Sequence, residues 1–150
     1  MALKQRIADD LKAALLGGDR FVTETLRGLK AAILNIEVAE GKRETGLDDV
    51  AIEQIVVREV KKRNESATIY EQNDRMESAA DERKEAEILS VYLPKQLSEI
   101  EVQAIVNTTV SEMGVTDISN MGKVIGAVKQ KVGNTADSAT VARIVKSTLN

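Results

Sequence analysis

The chain contains a single proline, Pro94, and sequence with helical periodicity lies on both sides of it. Proline lacks an amide hydrogen and disfavours the α conformation of the residue before it, so a helix should end near Tyr92 or Leu93. Ser98 and Glu101 have the identity and spacing of a capping box, which indicates that a new helix begins there. Pro94 is therefore expected to separate two helical subdomains.

Apolar residues recur at helical spacing along the whole chain, and no segment shows the alternation of a half-buried strand. We predict an all-α protein with an N-terminal subdomain of about four helices at residues 1–93 and a smaller three-helix subdomain at residues 94–150. The predicted helices are 2–16, 20–40, 49–71, 77–92, 99–113, 118–132 and one that starts after Asp137. The predicted N-caps are Asp19, Asp48, Ser98, either Asp117 or Ser119, and Asp137.

The residue types that the chain lacks restrict its chemistry. Without Cys it cannot form a disulfide, a thiolate nucleophile or a zinc-thiolate site. Without His it lacks the usual general base near neutral pH and the commonest metal ligand. The glycine-rich motifs of nucleotide binding are also absent. We therefore predict no catalytic residues, no metal site and no cofactor, and we expect a chain that binds rather than catalyses.

Neither a membrane helix nor a signal peptide is expected. No apolar run reaches the roughly 18 residues that a spanning helix needs. The first residues, Met-Ala-Leu-Lys-Gln-Arg, do not have the pattern of a secretory signal. The sequence predicts a cytoplasmic protein that makes no membrane contact.

Charge is distributed unevenly along the chain. The whole chain has a net charge of −3, yet from Asp117 onward five basic residues face only two acidic ones. Within this basic segment, residues 121–129 read Met-Gly-Lys-Val-Ile-Gly-Ala-Val-Lys. At 100° per residue, Gly122, Gly126, Lys123 and Lys129 share one side of a helix, and the apolar residues share the other.

Glycine in the middle of a helix costs about 1 kcal/mol relative to alanine, so some role should offset that cost. Three interpretations stay open: another helix packs closely on the glycines, nucleic-acid phosphates approach them beside the lysines, or the glycines have no role. Under the second interpretation the candidate RNA-binding residues are Gly122, Lys123, Gly126, Lys129, Lys131, Arg143 and Lys146.

Two further charged clusters are better explained as helix surface. The first is basic but interrupted by glutamates, which favours an exposed, ion-paired face; it consists of Arg58, Lys61, Lys62 and Arg63. The second is acidic but interrupted by Arg83 and Lys84, which favours a solvated face over a cation site; it consists of Asp81, Glu82, Glu85 and Glu87.

Two of these stretches carry a family resemblance. Residues 92–99, Tyr-Leu-Pro-Lys-Gln-Leu-Ser-Glu, resemble the Y-L-P-x-Q-L-S-E signature of the YqeY (GatB/YqeY) family. Residues 121–124, Met-Gly-Lys-Val, resemble its M-G-K-V motif. The likeness covers nearly the whole chain and includes residues 27–37, 59–63 and 85–89 and the segment from Ala136 to Lys146.

The resemblance implies an all-α fold and kinship with the tail domain of the B subunit of the tRNA-dependent aspartyl/glutamyl amidotransferase. That tail helps to hold tRNA, while ammonia is transferred from glutamine elsewhere in the enzyme. Carried over by position, Gly122, Lys123 and Lys129 would face RNA. The sequence differs from the family at residues 133–138, where the family often has a basic residue and a glycine after Asp137, so this loop is a poor candidate for gripping phosphate.

The resemblance also implies an enzyme class, that of carbon–nitrogen ligases with glutamine as amido-N-donor. The chain has no room for the catalytic body of such an enzyme and lacks its ATP-binding motifs. Three functions are therefore compared: a non-catalytic accessory domain that associates with tRNA, a protein–protein adaptor, and a component that acts with an amidotransferase whose catalytic site lies elsewhere.

Overall fold

The structure is a computed structural model of the 150-residue chain and describes residues 2–150. In that range the chain forms seven α-helices and no strand, so the all-α prediction is confirmed. The helices are α1 (Ala2–Leu16), α2 (Arg20–Ala39), α3 (Asp49–Gln72), α4 (Met76–Ser90), α5 (Glu99–Met113), α6 (Met121–Val132) and α7 (Ser138–Thr148). They divide into two compact units, Met1–Leu93 and Pro94–Asn150.

Three helices begin at the predicted caps. The carboxylates of Asp19 and Asp48 each accept a hydrogen bond from the amide three residues further on, at 3.1 and 2.9 Å. Ser98 accepts from the amide of Glu101, and the Glu101 carboxylate accepts from the amide of Ser98 in return. These side chains accept hydrogen bonds from amides that have no partner inside the helix. A single capping residue in the sequence therefore predicts the start of a helix reliably.

The end of α4 differs from the prediction by two residues, and a tertiary contact lies just beyond it. The helix was expected to continue to Tyr92, but it ends at Ser90. The Tyr92 ring is buried, and its hydroxyl donates to Asp10 at 2.7 Å, while the Arg6 guanidinium lies 5.0 Å from the ring centroid. Burial, together with this hydrogen bond, raises the pKa of the Tyr92 phenol. The contact ties the end of α4 to α1.

The start of α6 also differs. Residues Ile118–Asn120 were predicted to be α-helical, but they form a separate 3₁₀ turn before α6. Asp117, and not Ser119, is the cap of this turn, since its carboxylate accepts from the Ser119 amide at 2.8 Å. That hydrogen bond lowers the pKa of Asp117. Asp137 precedes α7 but its side chain makes no capping hydrogen bond.

The core of the first unit is aliphatic and includes Leu3, Ile7, Leu26, Leu29, Ile33, Leu47, Ile52, Ile55, Val56, Leu89 and Tyr92. Leu15, near the end of α1, lies outside this core and is 51% exposed. Conversely, the Glu59–Arg63 pair was expected on an exposed face, yet the two side chains are only 15% and 14% exposed. Arg63 also approaches Glu85 of α4 at 3.5 Å. Burial raises the pKa of Glu85, although Arg63 acts in the opposite direction.

In the second unit α5, α6 and α7 pack around a core of Val102, Val106, Val124, Val128, Val132, Val141, Ile144, Val145 and Leu149. Backbone hydrogen bonds fix the ends of this bundle. Leu97 donates to the carbonyl of Thr135 at 2.7 Å, and Ile118 donates to that of Asn150 at 2.9 Å. The segments before α5 and before α6 are therefore each held to a distant part of the same unit.

Candidate nucleic-acid interface

Helix α6 has one buried side and one open side. Val124, Val128 and Val132 point into the core of the second unit. Gly122, Lys123, Gly126 and Lys129 are exposed on the remaining surface of the helix, and we call these four residues the glycine–lysine face. The predicted split of α6 into an apolar side and a glycine–lysine side is thus what the structure contains.

The two glycines of this face have no neighbour above them. A Cβ atom built on Gly122 or on Gly126 would meet no heavy atom within 4 Å. The interpretation that another helix of this chain packs on the glycines is therefore wrong for the described residues 2–150. Gly126 lies in the middle of α6, whereas Gly122 is only its second residue, so the full helix-interior cost of glycine applies to Gly126 alone.

The five basic residues of the segment fall into two groups. Lys123, Lys129 and Lys146 are exposed, and no salt bridge joins them to another residue in the described part of the chain. Lys131 and Arg143 are engaged within the unit. Three positive charges of the segment are therefore uncompensated by an ion pair.

Both engaged residues pair with α5. Lys131 Nζ lies 2.8 Å from a Glu112 carboxylate oxygen and donates to Thr109 Oγ1 at 3.0 Å. Arg143 pairs with the Glu99 carboxylate. Both pairs are exposed, so each stabilises the fold little but compensates one positive charge.

The second unit has no aromatic side chain, because Phe21, Tyr70 and Tyr92 all lie in the first unit. The second unit itself therefore supplies no aromatic ring for base stacking, which gives single-strand binders much of their affinity. The glycine–lysine face exposes helix backbone at Gly122 and Gly126 and the ammonium groups of Lys123 and Lys129, and a ligand can contact both.

The other charged clusters form helix surface and inter-helix contacts. Arg63 is engaged by Glu59 and Glu85, and the exposed Lys62 also lies 3.8 Å from a Glu59 carboxylate oxygen. Arg58 and Lys61 are exposed. Among residues 2–150, no group of three or more acidic side chains is arranged to hold a metal ion. Nor does any described helix combine the length and apolar character needed to cross a membrane.

One feature was missed by sequence reasoning, and it lies in the first unit. Glu37 of α2 is 2% exposed and faces a groove between α1 and α2. Its Oε1 accepts from Lys4 Nζ at 2.6 Å and from the Leu47 amide at 3.4 Å. The available signal was its position four residues after Ile33, which places a carboxylate next to the apolar stripe of α2.

Comparison with known proteins gives a family and one relative. The model of the family described as "Yqey-like protein" matches residues 4–149. The chain belongs to the YqeY-like family. The predicted resemblance is therefore confirmed over nearly its whole length.

The chain is also similar to the "Altered inheritance of mitochondria protein 41, mitochondrial" of Lachancea thermotolerans. The two are 32% identical over 107 residues, which cover 69% of this chain and 56% of that protein. The chain thus aligns with little more than half of the length of its relative. The printed name of that relative specifies neither a ligand nor a reaction.

Proposed function

We propose that the second unit of this YqeY-like chain is a non-catalytic RNA-binding module that holds tRNA through the glycine–lysine face of α6. The observation that carries the proposal is the open surface above Gly122 and Gly126, where a Cβ atom on either glycine would meet no heavy atom within 4 Å. A helix surface without side chains lets a nucleic-acid backbone come close, and the flanking Lys123 and Lys129 can neutralise its phosphates.

The geometry favours recognition of the sugar–phosphate backbone over recognition of bases. Without an aromatic ring in the second unit, unstacked bases would find no platform. Helical RNA exposes its phosphates and 2′-hydroxyls along a wide, shallow minor groove. We therefore expect the paired regions of tRNA to be bound with little dependence on their sequence.

The charges limit how strong this binding can be. Lys131 and Arg143 are paired with glutamates, which leaves Lys123, Lys129 and Lys146 to contact phosphate. Using the duplex slope of about 0.9 per phosphate, two contacts give an affinity that falls about 12-fold between 50 and 200 mM salt, and three contacts about 40-fold. Binding should accordingly be weak and strongly dependent on salt.

The test is a titration of the full chain with tRNA at these two salt concentrations. If Lys123, Lys129 and Lys146 each contact one phosphate, the wild type should lose about 40-fold in affinity between the two salt concentrations. Lys123→Ala/Lys129→Ala keeps only Lys146, so it should bind more weakly and lose only about 3.5-fold, the value for one phosphate. Lys12→Ala/Lys61→Ala is the matched control, because it removes two exposed lysines of the first unit that, like Lys123 and Lys129, form no salt bridge within the described residues. Equal losses in both variants would remove the site assignment, and no binding at low salt would remove the proposed function.

A protein partner is the second candidate, because an open glycine surface also suits close packing of a foreign helix. An adaptor of this kind, including one that docks on an amidotransferase, should bind its partner by apolar contact at the same face. Its affinity would change little between 50 and 200 mM salt, since burial of apolar surface is not screened by ions. The salt dependence therefore separates the two candidates. We also propose that the chain binds tRNA in the cytoplasm.

A further inference from the structure

The first unit contains a groove between α1 and α2 that the proposed RNA-binding function does not use. Its volume is about 490 Å³, within the range of roughly 300–1,000 Å³ typical of small-molecule sites. The lining is mostly aliphatic and comes from Ile7 and Ala8 of α1 and from Ala31, Ile33 and Leu34 of α2. Leu34 is 45% exposed, so one wall of the groove is an uncovered apolar surface.

The polar side chains that line the groove are Lys4 and Gln5 of α1 and Lys30 and Glu37 of α2. Glu37 is neutralised by Lys4, whose ammonium lies 2.6 Å from its carboxylate. Lys30 also lines the groove, is exposed, and forms no salt bridge within the described residues. The groove therefore has one uncompensated positive charge next to aliphatic walls.

The distance between these polar groups limits the size of an occupant. Lys30 and Glu37 are seven residues apart on one helix, which corresponds to about 10 Å along its axis. An apolar group placed between them would contact Ala31, Leu34 and the α1 side chains opposite. This length suits a short alkyl chain and is too small for a long lipid chain.

We propose that the α1–α2 groove binds a free amphiphile with a short alkyl chain and an anionic headgroup, of the class of medium-chain carboxylates. The headgroup contacts the Lys30 ammonium, and the alkyl chain covers Leu34 and Ala31. The Lys4–Glu37 pair lies at the other end of the groove and has no unpaired positive charge. The anionic headgroup therefore binds at Lys30, which determines the orientation of the ligand.

The probes are octanoate, decanoate and decylamine, each titrated as monomer into the full chain while the Leu34 and Ala31 methyl resonances are followed. We expect decanoate to bind more tightly than octanoate, by up to about fourfold for each added methylene. Decylamine, which has the same chain but a positive headgroup, should bind at least tenfold more weakly than decanoate. Equal affinity for decanoate and decylamine would overturn the assignment of Lys30.

Variants locate the site. Lys30→Glu should reverse the preference, so that decylamine binds more tightly than decanoate. Ala31→Phe should fill the groove and abolish binding of both, whereas Ala13→Phe places the same ring at an exposed position of α1 outside the groove and should leave binding unchanged. If Ala31→Phe fails to fold, Leu34→Ser removes the exposed wall and should weaken decanoate at least fivefold. Unchanged decanoate binding in these groove variants would overturn the proposal.

Other occupants give different results. If the groove were a membrane contact, the chain would bind vesicles that contain anionic lipid, and monomeric decanoate would not shift the methyl resonances. If it were covered by a second copy of the chain, sedimentation would show a dimer that dissociates in Leu34→Ser. Either result would overturn the proposal.

Discussion

Gly126→Ala tests directly whether the surface of α6 is open. Gly126 lies in the interior of α6 and is exposed. Because a Cβ at this position meets no heavy atom within 4 Å, alanine should cause no clash and gain no contact. The effect on folding is then the difference in helix propensity, about 1 kcal/mol in favour of alanine. The same methyl group should hold a nucleic-acid backbone away from the helix, so the more stable variant should bind tRNA more weakly.

The assay is native-state amide hydrogen exchange in the full chain, read at the buried Val124 and Val128 of α6. A gain of about 1 kcal/mol slows exchange roughly fivefold at amides that exchange by unfolding of the second unit. Gly114→Ala is the control in the same unit. Gly114 ends α5 at φ 65°, where alanine costs roughly 1–2 kcal/mol, so this variant should exchange faster.

Faster exchange in Gly126→Ala, with Gly114→Ala behaving as expected, would contradict an open surface above Gly126. That combination would mean that a segment of the chain covers Gly126 and is displaced by the methyl group. The open face, and with it the RNA proposal, would then be lost.

Three other substitutions test the contacts that define the two units, each by urea unfolding of the full chain. Arg63→Ala should destabilise by about 2 kcal/mol, because the shielded Glu85 carboxylate loses its cation and Glu59 keeps only Lys62, 3.8 Å away; a change below about 1 kcal/mol would contradict this. Tyr92→Phe should cost about 1 kcal/mol by removing the hydrogen bond to Asp10. Since the folded-state pKa of this phenol is raised, the phenol stabilises the fold at a pH below its ordinary pKa near 10, and this stabilisation is lost as the pH rises above that value. If Tyr92→Phe lost as much stability at alkaline pH as the wild type, the loss would not come from Tyr92. Ser98→Ala should cost about 1 kcal/mol and Asp137→Ala less, since only the first caps by hydrogen bond.

The features of the fold that were predictable from the sequence are those determined locally. Asp19, Asp48 and Ser98 cap helices because each meets an amide only three residues away. The amphipathic division of α6 follows from the helical repeat alone, and it placed Gly122 and Gly126 on the open side.

The features that the sequence did not reveal depend on contacts between distant segments. The Tyr92 hydroxyl donates a hydrogen bond to Asp10, which is 82 residues away in the sequence. Glu37 is buried because Lys4 and the Leu47 amide lie beside it. Local periodicity contains no information about such partners.

The same limit applies to the candidate site. Lys131 and Arg143 were grouped with the other basic residues because they share a segment. They differ from Lys123 and Lys129 only because glutamates of α5 lie within reach. Which cations of a basic segment are already compensated is thus a property of packing and cannot be read from composition.

Binding of tRNA at the glycine–lysine face can be observed by following the backbone amide resonances of the full chain while tRNA is added at low salt. The amides of Gly122, Lys123 and Gly126 should shift first, whereas those of Gly41 and Gly46 in the first unit should stay in place. Shifts confined to the first unit, or no shift of the Gly122 and Gly126 amides when tRNA is bound, would contradict binding at this face.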